Sequence, residues 1–180
     1  MTTIPHLAFV GFSGSGKTTL LSQVVIQLKR RGYRIGVLKH DAHDFQMDVK
    51  GKDTYQYSEA GADLVAISSA AKFNMMERLQ KPLALEEVLQ RFRGVDLILI
   101  EGYKQANVPK ILVARTSEQL ALYEQLSQVM AIASTFGMNS SEASSLILSV
   151  DRVPFLDLND IAAMTTFVES WLQDQHSFGN

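Results

Sequence analysis

Short apolar runs along this chain are separated by longer stretches whose apolar residues recur every three or four positions. Leu7 to Val10 is too short for a helix and apolar throughout, which predicts a strand buried on both faces. Leu20, Leu21, Val24, Val25 and Leu28 then follow a helical spacing; Lys29 to Arg31 supply a basic last turn, and Gly32 closes the helix. Arg34 to Leu38 predicts a second strand, and Thr54 to Ala60 a short helix ending at Gly61. Leu64 to Ser68 reads as a strand that Lys72 to Leu79 extends into a hairpin. Leu83 to Phe92 places Leu85, Val88, Leu89 and Phe92 on one helical face. Val95 to Ile100 is the strongest strand pattern in the chain and delivers Glu101-Gly102. Lys110 to Ala114 and Val129 to Ala133 predict two more strands with a helix around Glu118 to Leu126 between them. Phe155 to Leu158 predicts a short last strand. Asn159 is the expected cap of a final helix carrying Ile161, Met164, Phe167, Val168, Trp171 and Leu172. Strands alternating with helices predict an α/β three-layer sandwich with a mostly parallel, doubly wound sheet.

Composition narrows this only slightly. The 180 residues suit one domain over 1–174 with a flexible tail at 175–180. A net charge of −2 makes no electrostatic case for nucleic acid. The absence of cysteine suits a reducing compartment, and neither a secretory leader nor a run of membrane-spanning length is visible. The expectation is a cytoplasmic protein. Ser140 to Ser145 reads as a surface loop or a capped helix start.

The chemistry concentrates after the first strand. Gly11-Phe12-Ser13-Gly14-Ser15-Gly16-Lys17-Thr18 fits the phosphate-binding pattern G-x-x-x-x-G-K-[ST] at every fixed position. Glycines there bring backbone N–H groups up to phosphate oxygens, and the following helix points its positive end at the same anion. Gly11, Ser13, Gly14, Ser15 and Gly16 would form the cradle, Lys17 would reach the β- and γ-phosphates, and Thr18 would hold Mg²⁺. Thr19 would steady the loop or meet the α-phosphate. Glu101, at the carboxyl end of its strand, is the expected acid for the metal, and Gly102 leaves room beside the γ-phosphate. Asp96 stands at the opposite end of that strand. The polar stretch from Lys39 to Asp53, with His40, Asp41, His43, Asp44, Asp48 and Lys52, starts at the same edge and is expected to face nucleotide. A transition-metal site at His40, His43 and Asp44 is chemically open, and a solvated loop outweighs it.

Taken together, GFSGSGKTTL at 11–20, GVLKH at 36–40, HDFQMD at 43–48, GKDTY at 51–55, AGAD at 60–63, DLILIEGYK at 96–104, PKILVAR at 109–115 and LDLNDI at 156–161 resemble the molybdopterin-guanine dinucleotide biosynthesis protein B family, MobB. The resemblance implies a homodimeric P-loop protein that binds GTP with Mg²⁺ and hydrolyses it weakly. Its implied role is to assist a MobA-type guanylyltransferase in joining GMP to molybdopterin, with molybdopterin itself a further candidate partner. By position it implies that Asp53 joins Thr18 and Glu101 near the metal, and that Lys39 and His40 contact nucleotide or partner. Any hydrolysis would rest on Lys17, Asp53 and Glu101. The N-K-x-D motif of Ras-like GTPases is absent, so guanine preference comes from the resemblance. Ala133, Ser134 and Thr135, after a strand at the same edge, are the candidates for base contact.

Two other readings compete. A small-molecule kinase or ATP-dependent ligase would use the same loop, but Arg78, Arg91, Arg93 and Arg115 are scattered and form no arginine-rich lid. A nucleotide-gated metal-insertion chaperone would call for a histidine-rich tract or cysteine ligands, and the chain has four histidines and no cysteine.

Overall fold

Runs that are apolar at consecutive positions make strands only where both faces of a sheet are covered. The computed structural model describes residues 4–41, 48–135 and 153–177. Its contacts gather into two units, Met1–His40 with Gln90–Asn180, and Asp41–Leu89, within the stretch expected as one domain. Numbered along the chain, the described strands are β1 His6–Val10, β2 Ile35–Lys39, β3 Leu64–Ser68, β4 Phe73–Glu77, β5 Leu97–Glu101, β6 Lys110–Ala114, β7 Val129–Ser134 and β8 Phe155–Asp157. The helices are α1 Lys17–Arg30, α2 Asp53–Glu59, α3 Leu85–Leu89, α4 Ser117–Leu120 and α5 Ile161–Ser177, with a 3₁₀ turn at Ala121–Gln125.

The first unit holds a six-stranded sheet in the order β2-β5-β1-β6-β7-β8, parallel throughout. From β1 the chain builds towards one edge, then crosses to β6 on the other side. That reversal makes the carboxyl end of β1 a topological switch point, where ligands collect in such sheets. Leu7, Phe9, Leu97, Leu99, Ile111, Val113, Ala131 and Ala133 lie in one apolar cluster with Leu20, Leu21, Val24 and Leu28 of α1 and Met164, Val168, Trp171 and Leu172 of α5. The intervening Ala8, Val10, Ile98, Ile100, Leu112 and Ile132 are buried too, on the opposite face by strand alternation. An ion pair between Arg31 and Glu169 joins the end of α1 to α5.

Several details depart from the sequence pattern. Ala163 N–H donates to Asp160 Oδ1 at 2.9 Å, so Asp160, and not Asn159, caps α5. That helix continues to Ser177, past the expected start of the tail. The helix expected over 118–126 is α4, capped by Thr116, followed by the tighter 3₁₀ turn, with Leu120 and Leu122 both buried. Lys110 opens β6 fully buried. Its ammonium donates to the carbonyls of Ala106, Val108 (2.9 Å) and Ser127 (3.1 Å), which stand in for water. Burial pushes this amine below the usual lysine range.

The second unit contains the β3–β4 antiparallel hairpin, in register from Leu64 opposite Glu77 to Ser68 opposite Phe73. Arg78 ties it to α2 by donating to the Ser58 carbonyl at 3.0 Å. Leu64, Ile67, Phe73 and Met75 are exposed along it. The helix expected over 83–92 covers only Leu85–Leu89. His43, Asp44, the serine patch at 140–145 and residues 178–180 lie outside the described residues. Among the described residues no helix is long and apolar enough to cross a membrane.

Candidate nucleotide site

The loop leaves β1 through Gly11, where an added Cβ would stand 2.4 Å from the Val113 carbonyl oxygen. Only glycine passes so close to a neighbouring strand's backbone. The chain turns with Ser15 N–H donating to the Phe12 carbonyl at 3.3 Å, and Gly16, at φ 96°, leads into α1. Leu20 N–H is bonded to the Gly16 carbonyl at 3.0 Å, which leaves the amides of Lys17, Thr18 and Thr19 at the open first turn. These amides and the helix dipole make an anion cradle. Beneath the loop, beside Gly11, the Ser15 hydroxyl is fully buried and has no hydrogen-bond partner among the described residues. An orphaned hydroxyl of that kind fits a loop completed by bound phosphate.

Strand parity sets the next contact. Leu97 and Leu99 face α1, so Glu101, two residues on, faces the first turn of that helix. The Thr18 hydroxyl lies 2.9 Å from both Glu101 carboxylate oxygens. A hydroxyl and a carboxylate side by side are hard oxygen donors, and they fit Mg²⁺. Lys17 donates to the Phe12 carbonyl at 2.7 Å, which draws the amine across the loop. Its pKa is held below the usual lysine value, first by burial and then by Lys104 and Lys39, with Glu101 opposing. Lys39 stands opposite Glu101 in the β2–β5 register. Lys104 places its ammonium 5.0 Å from the centroid of the Phe12 ring. Three ammonium groups around one carboxylate favour a polyanion.

His40 continues the sheet by donating its N–H to the Glu101 carbonyl at 2.9 Å, and its ring stacks on Tyr103 at 4.2 Å between centroids. Gly102 donates to the Phe9 carbonyl at 3.1 Å. Gly11 to Thr19, Lys39, His40, Glu101 and Gly102 therefore gather at one sheet edge. Ala133 lies buried in the cluster beneath α1 and α5, while Ser134, also buried, stands opposite Asp157 in the β7–β8 register. Thr135 is exposed just beyond. Asp53 opens α2 in the second unit, directly after Lys52. Among the described residues no three histidine, cysteine or acidic side chains form a metal cluster.

Sequence reasoning passed over Arg115. Its Nε donates to the Ser15 carbonyl at 3.0 Å, so the guanidinium lies along the loop. The signal was present: Ile111, Val113 and Arg115 alternate onto the face that carries α1.

Comparison with known proteins turns this geometry into a relationship. Residues 6–135 match the family model described as molybdopterin guanine dinucleotide synthesis protein B, MobB. The chain belongs to the MobB family. It is 37% identical, over 96% of its length and 92% of the relative's, to a molybdopterin-guanine dinucleotide biosynthesis adapter protein of Haemophilus influenzae. The Escherichia coli protein of the same name is 34% identical over 97% of both chains. The crystal structure of Bacillus subtilis MobB superposes with a TM-score of 0.71 at 30% identity, covering 92% of this chain and 96% of that one. The MobB match takes in the loop, Lys39-His40, Asp53, Glu101 and Arg115 and ends at Thr135, so β8 and α5 lie beyond it. Membership of this family, together with the P-loop fold, implies nucleotide binding.

Proposed function

We propose that this protein is a GTP-binding adaptor of molybdenum cofactor biosynthesis, which assists a MobA-type guanylyltransferase in attaching GMP to molybdopterin. The observation that carries the reading is the open P-loop cradle with Thr18 against Glu101, in a chain whose relatives are named adapter proteins of molybdopterin-guanine dinucleotide biosynthesis. Gly11 to Thr19 would hold the phosphates, with Thr18 and Glu101 around Mg²⁺ and Lys39 and His40 at the outer rim. Lys17 and Glu101 would serve slow hydrolysis of GTP. The exposed apolar side chains of the β3–β4 hairpin support a homodimer, since such an edge is covered in most proteins. The cytoplasm, where GTP is supplied, is the compartment this role requires.

The test is a reconstituted reaction of a MobA-type enzyme with GTP and molybdopterin, run with and without this protein. Faster formation of the dinucleotide, with a complex of the two proteins on size-exclusion chromatography, is expected. An unchanged rate with no complex at micromolar concentrations would refute the adaptor role.

A further inference from the structure

Beside the P-loop, on the face of the sheet that carries α1 and α5, lies a cavity of about 200 Å³. Its walls are Gly16 of the loop, Thr19 and Leu20 of α1, Arg115 after β6, Leu158 and Asn159 after β8, and Ile161 at the start of α5. We propose that this cavity takes the purine base of the bound nucleoside triphosphate, with the Asn159 amide hydrogen-bonded to the base edge. The inference rests on the P-loop reading and adds to it the residues that meet the base.

Position along the loop comes first. Thr18 touches Glu101, which marks the metal and the β/γ end of a triphosphate. The cavity includes Thr19 and neither Lys17 nor Thr18, so it opens at the α-phosphate end, the end from which the nucleoside departs. Size and lining agree with this. A volume of about 200 Å³ falls below the range of pockets that enclose a whole drug-sized ligand and suits one flat fragment. Leu158, Ile161 and Leu20 offer apolar contact for a ring, while Arg115 and Asn159 supply the polar groups that orient it.

Asn159 is available for this. The cap of α5, which the residue type would suit, is supplied by Asp160. The Asn159 backbone is fixed by its N–H donating to Asp157 Oδ1 at 2.8 Å and its carbonyl accepting from Ile161 N–H at 3.2 Å. Its side-chain amide has no partner among the described residues, and it can both donate and accept. Arg115 offers donors only, and its Nε is anchored on the Ser15 carbonyl. Guanine presents acceptors at O6 and N7, whereas adenine replaces the first with an amino donor, so a donor-only neighbour suits guanine better.

The experiment compares GTP with inorganic tripolyphosphate, each with Mg²⁺, on wild-type protein and on Asn159→Leu and Asn159→Ala, by calorimetry. The leucine keeps the bulk and removes the hydrogen bonds; the alanine removes both. Both variants are expected to lose about tenfold in GTP affinity while tripolyphosphate affinity is unchanged. GTP affinity equal to wild type in both variants would overturn the base slot and leave the P-loop reading standing. Equal losses for GTP and tripolyphosphate would overturn it too, because Asn159 would then act on the loop. Wild-type protein that binds neither ligand would refute the P-loop reading, and the slot with it.

Discussion

Replacing Lys17 with alanine is expected to weaken nucleoside triphosphate binding by about 10- to 100-fold, the worth of one charged hydrogen bond in a partly buried site. The amine is drawn into the loop by the Phe12 carbonyl, 2.7 Å away, and its neighbours are set around the same cradle. Burial depresses its pKa first, and Lys104 and Lys39 add to that against Glu101, so two further ammonium groups stand close enough to repel it. A triphosphate relieves that repulsion, and removing Lys17 forfeits part of the gain. Titration calorimetry with wild-type and variant protein reads the difference. Affinity within twofold of wild type would mean that the loop does not carry the phosphates.

The second large effect separates metal from phosphate. With Mg²⁺ present, Glu101→Gln is expected to lose about tenfold or more in triphosphate affinity, in line with the loss of a group that holds or orients a metal ion. In EDTA it should bind as well as wild type or better, because a negative charge has left an anion site. The geometry behind this is local: Leu97, Leu99 and Glu101 share a face, and that face meets Thr18. Matched losses with and without metal would show that Glu101 only shapes the loop, and the metal assignment would fail.

Most of the first unit was legible because its signals are local. The P-loop pattern names its own glycines, and a run such as Leu97 to Ile100 leaves Glu101 at the only end of the strand where ligands collect. Boundaries were less legible where two residues can do one job. Asn159 and Asp160 are both good helix caps one position apart, and the structure gives the role to Asp160. Lys110 could not be foreseen as buried, since a lysine at a strand's start reads as solvent-facing until carbonyls from two loops, at 106–108 and at Ser127, close on it. The cavity beside Thr19 was out of reach for a related reason. Its walls come from the loop and α1, from the residues just after β6 and β8, and from the start of α5, and the strand order β1-β6-β7-β8 brings Arg115 and Asn159 round to the same side of the loop. Strand parity alone could have placed Arg115 there; no spacing rule would have placed Asn159.

The central claim is that this MobB-family chain binds GTP through the P-loop and a metal held at Glu101. Calorimetric titration of the purified protein with GTP and with ATP, each with and without Mg²⁺, tests it most directly. Saturable GTP binding that strengthens with Mg²⁺ and exceeds ATP binding is the expected result. Preference for ATP, or GTP binding indifferent to Mg²⁺, would contradict it.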